Sequence, residues 1–581
     1  MDHTIATTST GTSPTTMTSD GPPDAASRKN GAQLLWESVI RERVEVIFGI
    51  PGGAVLPLYD KLTHYTQLRH VLCRNEQGAA YAADAYARAA QRVGVCLATS
   101  GPGATNLVTG IANAYLDGSP LVAITGQAPR ALLRKNAFQE VDIIGITRPI
   151  TKGGYLVMDP RDIPRIVREA FLLARSGKPG PVVIDLPKDV QQEEVDCLGW
   201  TDQTVETGQP ALSEDGFARL GEAVRLLKAA KRPVVVAGRG VSLARAQDQL
   251  QELVDRIQAP VATSLLGLGC FPQDSRLSLG MLGMHGAAPA NKAVQRADLI
   301  LAVGTRLNDR ITGSTSGFAP GARIVHIDID ANELGKNVRV DVPVPADAGL
   351  ALEALLDLLE PIEHTAWLAE LESWPKNGRL PVQRDEDPLL PQFVMQQIDD
   401  AVAGDAVVVT GIGQHQMWAA HYLQHTHPNG FISAGGLGPM GFELAGAVGA
   451  QVARANETVW CIAGDGGFQM TMQELGTIAE QGLPIKIAII NNRALGMVRQ
   501  WQELFYDRSY VATILSNPDF VALAASYGIP GERVTRASEV GPAIRRSMEH
   551  EGCFLIDFAV DPAANVYPMV RPGDHLGNVM Q

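Results

Sequence analysis

The residues best suited to chemistry lie in Gly464-Asp465-Gly466-Gly467 and Asn491-Asn492. Each group closes an apolar, β-branched run, and a helix-length stretch rich in Gln, Met, Glu and Leu separates them. A right-handed strand-helix-strand crossover can set two such strands side by side, with Asp465 and Asn492 at neighbouring carboxyl ends about 5 Å apart. Open α/β sheets bind ligands at that edge. A carboxylate and an amide oxygen are hard donors that suit Mg²⁺, which keeps its other octahedral positions for water and phosphate oxygens. The helix after Gly467 adds backbone N–H groups facing the same anion. Gly-Asp-Gly alone is ordinary turn chemistry. Followed by Asn-Asn across one such unit, it points to a metal and diphosphate site.

A second metal reading is weaker. His421 and His425 are four residues apart, near His415 and His427, yet no Glu stands between them as in the zinc helix motif. They read as surface helix histidines. The six cysteines form no C-x-x-C pair and mostly sit in apolar, strand-like stretches. They read as buried thiols in a reducing compartment.

Positioning such groups requires strands, and apolar runs occur at 95–99, 121–125, 182–186, 234–237, 299–303, 324–329, 407–410, 459–463, 485–490 and 554–560. Each ends in or near Gly, Asp or Asn and precedes a helix-length stretch. Short strands buried on both faces and alternating with helices mean parallel sheets. Polar or Pro-containing stretches near 190–215 and 362–391 divide the series. The expected organisation is a disordered tail over 1–28, then three doubly wound α/β domains at 29–190, 213–360 and 391–562. A shift of 364 residues lays Val95 on Val459, Gly103 on Gly467, Gly118 on Gly482 and Pro120 on Pro484. The first and third domains therefore read as versions of one fold, with a Rossmann-like domain between them.

The 581 residues exceed what one core holds, at roughly 150 residues per domain. The formal charge of −14 disfavours nucleic acid, whose binding needs a cationic surface. No apolar run approaches the ~20 residues of a membrane span. The first 20 residues hold eleven Ser or Thr and no Lys or Arg, which is no secretory signal and supports a disordered tail.

The metal and diphosphate pattern matches the thiamine diphosphate signature, and further motifs extend the match. Arg74-Asn75-Glu76-Gln77-Gly78-Ala79-Ala80 resembles that family's glutamate segment. GIPGGAVLPLYDKL, SGPGATNLVTGIANAYLDGSPLVAITGQ and GPVVIDLPKDV resemble its first domain, and GLGPMGFELAGAVGA and NNRALGMVRQWQELFY its third. Residues 30–570 resemble the catalytic subunits of acetolactate synthase, also called acetohydroxyacid synthase.

The resemblance implies a carboligase that decarboxylates pyruvate and joins the hydroxyethyl group to a second 2-oxo acid, using thiamine diphosphate, Mg²⁺ and FAD. Glu76 is implied to hydrogen-bond ring N1′ and favour the imino tautomer that generates the reactive carbanion; otherwise it is a helix cap. Met440 is implied to bend the cofactor, the Gly438 carbonyl to accept from its 4′-amino group, and Gln139 to lie beside the thiazolium. Gly464, Gly466 and Gly467 would border the diphosphate, with Asp465, Asn492 and the Ala494 carbonyl on Mg²⁺. The segments 281–286, 304–313 and 326–330 resemble FAD-binding segments, implicating Met284, His285, Gly286, Gly304, Thr305, Arg306, Asp328 and Asp330. No G-x-G-x-x-G is present there. Lys178 stands where the family usually has Arg, which loses a fork geometry. Arg310 is implied to hold the second acid's carboxylate, or else to pair with Asp309. Trp501 would close the pocket around the acceptor's alkyl group, with Phe138, Lys152 and Ile412 as further lining. Gly153-Gly154, Asn75, Pro439 and Glu443 depart from the family pattern, and a Glu at 443 would repel a diphosphate unless it points away.

A homodimer or homotetramer, a possible regulatory small subunit and a cytoplasmic location complete the expectation. The helix GAAYAADAYARAA, rich in small residues, permits the close approach of another helix. Two other readings share much of this pattern: a pyruvate oxidase-type flavoenzyme or related decarboxylase, and a non-catalytic relative. Arg310 and Trp501 oppose the first, since an oxidase needs no second-acid pocket. Intact Glu76, Asp465 and Asn492 oppose the second, and Glu76 also opposes glyoxylate carboligase, which lacks it.

Overall fold

The computed structural model describes residues 28–196, 212, 214–374 and 383–580. The expected tail, up to residue 27, and Cys197 lie outside the described residues. Three six-stranded parallel sheets organise the chain. The first contains β1 (Val46–Gly49), β2 (Arg69–Leu72), β3 (Gly94–Ala98), β4 (Leu121–Gln127), β5 (Gly153–Leu156) and β6 (Pro181–Pro187). The second contains β7 (Pro233–Ala237), β8 (Val261–Thr263), β9 (Ser278–Met281), β10 (Leu299–Val303), β11 (Arg323–Asp328) and β12 (Val342–Pro345). The third contains β13 (Val407–Thr410), β14 (Phe431–Ser433), β15 (Val459–Gly464), β16 (Lys486–Asn491), β17 (Gly531–Val534) and β18 (Phe554–Ala559).

The order in the first sheet is β2-β1-β3-β4-β6-β5, and in the third β14-β13-β15-β16-β18-β17. Counted from each sheet's own first strand, the two orders are identical. The offset noted in the sequence lays β3 on β15 and β4 on β16, which occupy the same two places. The middle sheet runs β9-β8-β7-β10-β11-β12, the order of a dinucleotide-binding fold. Inner strands are apolar throughout because helices cover both faces, as in Val459–Gly464, whose first five residues are buried.

Two helices rich in small residues join the first and third units, with Tyr81 of one edge-on to Phe442 of the other. Helix Glu76–Ala90 is buried from Gly78 to Ala89 and packs on helix Phe442–Ala453, whose Phe442 to Gln451 are all buried. A Cβ added to Gly449 would lie 1.9 Å from the Ala82 carbonyl oxygen, so a glycine is required there. The close helix approach read from GAAYAADAYARAA is therefore made within the chain, and that face is not free for a second copy.

Arg88 fastens the far end of this contact. Its guanidinium donates to both Asp84 oxygens at 2.7 and 2.8 Å, to Asp117 at 2.9 Å and to the Ser433 carbonyl of the third unit at 2.6 Å. Asp117 also accepts from the backbone N–H groups of Gly435 and Gly436 at 3.1 and 2.6 Å. Arg88 is nearly enclosed, and its two carboxylate partners are fully so. Arg88→Ala is expected to strand both carboxylates and to destabilise the chain by about 3–5 kcal/mol, seen as a lower midpoint in denaturant unfolding. An unchanged midpoint would show that water replaces the guanidinium without loss.

Candidate active site

In the third unit, the strand order reverses between β13 and β15, and the sequence turns sharply after both. Gly464 ends β15, and Asp465 opens helix Asp465–Thr471. β15 pairs with β16 so that Gly464 lies opposite Ile490, which brings Asp465 beside Asn491 and Asn492. Asn517 ties this edge together, donating to Asp465 Oδ2 at 2.7 Å and to Asn491 Oδ1 at 2.9 Å. Asn492 donates to Gln414 Oε1 at 2.9 Å, and its own Oδ1 accepts from the Ala494 N–H at 3.1 Å. The segment after β16 is held by an exchange with Thr513 and Leu515 at 2.8 Å each. Neither Asn517 nor Gln414 belongs to a motif visible in the sequence, because Asn517 acts from a loop and Gln414 from the start of helix Gln414–Tyr422, both distant along the chain.

Asp465 is 1% exposed, and burial raises its carboxyl to about 6. A nearby cation would offset that cost, and Asp465, Asn492 and the Ala494 carbonyl could supply hard oxygen donors of the kind Mg²⁺ takes. Gly466 is packed closely by side chains from the turns around it. A Cβ there would meet Leu495 at 2.8 Å and Met440 Cε at 3.4 Å. Met440 thus stands over the Gly-Asp-Gly-Gly turn. Gly438 takes a left-handed φ of 68°, with Ile412 packed against it.

Glu443 does not point to solvent. Its carboxyl is completely buried between Gly411 and Gly467, where added Cβ atoms would lie 1.8 and 2.1 Å from its two oxygens. Neither oxygen has a hydrogen-bond partner, and His415 Nε2, also unpartnered, is 4.0 Å away. Burial pushes Glu443 up to about 7 and His415 down to about 3. The neutral acid is far more populated than for an ordinary carboxyl, which lessens the repulsion expected of a Glu beside the diphosphate turn. The histidines correct a sequence expectation: His415 and His425 are buried, His421 is half-buried, and only His427 is exposed. His421 Nε2 lies 2.5 Å from the His285 carbonyl and His425 Nε2 3.2 Å from the Ala419 carbonyl, so His421, on helix Gln414–Tyr422, and His425, just after it, both turn onto backbone carbonyls. No group of three His, Cys, Asp or Glu residues able to hold a metal occurs among the described residues. The five described cysteines are buried and free, as expected.

In the first unit, Glu76 opens helix Glu76–Ala90 behind Asn75, whose side chain caps Gln77 N at 2.8 Å. Its Oε2 accepts from Asn106 at 2.9 Å, and Oε1 faces Gly103, where a Cβ would intrude to 3.2 Å. Gln139, at a left-handed φ of 59°, packs over Gly101. Phe138 beside it is 91% exposed. Lys152 bends away to the Ser176 carbonyl. Glu76 and Gln139 thus meet the same turn, Gly101 to Gly103, of the first unit.

A separate cavity of about 1610 Å³ runs along the carboxyl ends of the middle sheet to the third unit. It brings together Lys178, Met284, His285, Gly304, Thr305, Arg306, Asp328, Arg310, Ile412, Gly438 and Trp501. Glu76, Phe138, Gln139, Lys152, Gly286, Asp330, Met440, Gly464, Asp465, Gly466, Gly467, Asn492 and Ala494 do not line it. Gly286 closes the turn under Met284 by donating to Gly283 O at 2.8 Å, and Asp330 lies 3.8 Å from Lys178 Nζ. Gly240 approaches Gly304 so closely that a Cβ on it would lie 2.4 Å from the Gly304 Cα. Gly240, in the short helix Arg239–Leu243, and Gly304, just past the strand Leu299–Val303, thus let two backbone turns meet at the cavity wall without a G-x-G-x-x-G. The cavity has the volume for a dinucleotide. Buried Asp328, raised to about 6, lines it. So does Arg310, its Nη1 3.6 Å from Met284 Sδ and 3.6 Å from Asp309. Arg239, absent from any motif, also lines it and donates to Ser119 Oγ at 3.1 Å.

Comparison with known proteins adds a family to this geometry. Residues 29–146, 220–355 and 411–558 match the thiamine pyrophosphate enzyme N-terminal TPP-binding, central and C-terminal TPP-binding domains, respectively. The acetolactate synthase large subunit of Corynebacterium glutamicum is 46% identical, covering 96% of this chain and 91% of its own. That of Parasynechococcus marenigrum is 47% identical over 94% of this chain and 90% of its own. The acetolactate synthase isozyme 2 large subunit of Escherichia coli is 44% identical over 94% and 98%. No helix among the described residues is long and apolar enough to cross a membrane.

Glu443 generates a pH prediction. Its folded value lies above the ordinary 4.5, so its favourable contribution is complete below about pH 4.5 and is lost as pH rises towards about 7. Glu443→Gln should therefore gain stability over the parent between about pH 5 and pH 8, approaching about 3 kcal/mol. Melting midpoints of both proteins across that range measure it. A constant difference would mean that the acid is ionised in the fold.

Proposed function

This chain belongs to the acetolactate synthase large subunits of the thiamine pyrophosphate enzyme family, and from that membership we propose how its residues carry the reaction. It decarboxylates pyruvate and joins the remaining two-carbon unit to the carbonyl carbon of a second 2-oxo acid, pyruvate or 2-oxobutyrate, in branched-chain amino acid biosynthesis. The observation that carries this reading is the single cavity linking Gly438 and Ile412 to Arg310 and Trp501. A pocket with a guanidinium and an apolar wall beside the cofactor turn suits a second keto acid; a pyruvate oxidase has no use for one.

Bound thiamine diphosphate supplies the nucleophilic carbon and takes up the electrons released as carbon dioxide leaves. Asp465, Asn492 and the Ala494 carbonyl hold Mg²⁺, and Gly464, Gly466 and Gly467 admit the diphosphate. Met440 and the Gly438 carbonyl shape the cleft. Glu76 exchanges a proton with the aminopyrimidine ring nitrogen, using the oxygen that faces Gly103. Arg310 binds the acceptor carboxylate by charge-assisted hydrogen bonds. Trp501 packs on its alkyl group.

Lys178, Gly304, Thr305, Arg306 and Asp328 would hold FAD in the cavity. Carboligation is redox-neutral, so a bound flavin would supply a pocket wall and no redox chemistry. Glu76, Gln139 and the exposed Phe138 lie outside that cavity, which supports completion of each site by a second copy. The relatives' designation as large subunits supports a smaller regulatory partner. Buried free thiols support a reducing, cytoplasmic setting.

With thiamine diphosphate, Mg²⁺, FAD and pyruvate, the expected product is acetolactate; acetaldehyde, or acetate with peroxide, would replace the reading. Glu76→Gln should keep the fold and cofactor binding while nearly abolishing turnover, and Asp465→Ala should instead lose Mg²⁺ and diphosphate. Trp501→Leu tests the acceptor pocket. One methylene in an apolar pocket is worth about 1–3 kcal/mol, so preference for 2-oxobutyrate over pyruvate should fall towards unity. A competition assay reads the product ratio, and an unchanged ratio in folded protein would reduce Trp501 to core packing.

A further inference from the structure

Glu474 ends the short turn Met472–Glu474 that follows helix Asp465–Thr471, and it is 1% exposed. Its Oε1 accepts from the backbone N–H groups of Arg74 and Asn75 at 3.1 and 3.0 Å. Its Oε2 accepts from Arg74 N at 3.2 Å and from Thr477 Oγ1 at 2.7 Å. Those two amides immediately precede Glu76. They sit where the chain leaves β2 and enters the helix, so neither element pairs them. A carboxylate also suits the positive end of the helix.

The surrounding contacts are built to admit this carboxylate. A Cβ on Gly78 would lie 2.5 Å from Glu474 Oε1. Thr477 Oγ1 also reaches the Leu72 carbonyl at 3.1 Å. Arg74 donates to Glu480 at 2.5 Å and to the Gly476 carbonyl at 3.2 Å. The third unit therefore grips the turn before Glu76 from one side. Glu76 itself is tethered through Oε2 alone, by Asn106, so the aim of its free oxygen depends on the backbone from which the side chain starts.

We propose that Glu474 is the positioning residue for Glu76, its carboxylate fixing the Arg74 and Asn75 amides and thereby the direction of the Glu76 side chain. The inference rests on the reading of Glu76 as the group that exchanges a proton with the cofactor. Glu474 touches no reacting atom in this account. Its charge is dispensable, because a glutamine could place its amide oxygen on Arg74 and Asn75 and donate its NH₂ to Thr477 Oγ1.

The direct readout is hydrogen-deuterium exchange at C2 of bound thiamine diphosphate, followed by NMR after acid quench in the full-length, cofactor-loaded protein. Glu474→Ala should slow exchange by about 10- to 100-fold, the effect of a small misplacement of a reacting group. It should lower kcat by the same factor, with KM for pyruvate and cofactor affinity essentially unchanged. Glu474→Gln should restore exchange. Should the alanine variant not fold, Glu474→Asp keeps the charge, withdraws the carboxylate by one methylene and should also slow exchange. Parental exchange rates in folded Ala or Asp variants, or a Gln variant as slow as Ala, would overturn the proposal. Glu76→Gln run in parallel separates the two claims. Normal exchange there overturns the role of Glu76 and the positioning with it. Slow exchange there beside normal exchange in Glu474→Ala overturns the positioning alone.

Discussion

The contact between helices Glu76–Ala90 and Phe442–Ala453 constrains everything else in this molecule. Both carry small residues along the shared face, and at Gly449 the backbones approach too closely for any Cβ. Each helix starts with chemistry. The first opens on Glu76, and the second opens behind Met440 and carries Glu443 in its first turn. The crossing of two helices thus fixes the ends of two like-folded units relative to each other. Arg88 at one end and Glu474 at the other complete the fastening, each reaching a backbone group of the opposite unit. A packed interface of this kind transmits misfit, because its residues cannot collapse around a change in volume.

Burial of charge is the second organising feature. Asp465 and Glu443 are both enclosed, and both are pushed towards neutrality. They differ in partners. Asp465 accepts from Asn517 and belongs to an oxygen-rich edge, whereas Glu443 has no hydrogen-bond partner and faces two glycines and a neutral imidazole. A cation would compensate the first. The second is better tolerated as an acid, since an unpaired buried charge is far more costly than a neutral carboxyl.

Much of the fold was legible because inner strands of doubly covered parallel sheets are uniformly apolar. The ten strands expected from the sequence are all inner strands; the six edge strands were invisible, along with Val46–Gly49 and Val261–Thr263. Edge strands such as Gly153–Leu156 alternate between half-buried and exposed and carry glycine. The two missed inner strands are only four and three residues long. At the site, motif residues with local spacing were legible: Asp465, Asn492 and Gly466 follow strands directly. Glu474, Asn517 and Gln414 were not, since each acts through a hydrogen bond to a segment far away in sequence. The histidines near 421 are polar in sequence, but the backbone carbonyls of His285 and Ala419 that receive His421 and His425 are set only by the fold. The small-residue face of Glu76–Ala90 signalled a close neighbour, but sequence could not say that the neighbour is the same chain.

The central claim is that the cavity beside Gly438 serves a second 2-oxo acid, and the carbon balance of turnover tests it most directly. Carbon dioxide released and pyruvate consumed should be measured together in the cofactor-loaded protein, with pyruvate as sole substrate. Joining two pyruvates releases one carbon dioxide for every two molecules consumed, and the account predicts that ratio. One carbon dioxide for every pyruvate would mean that no second acid is joined, and would contradict it.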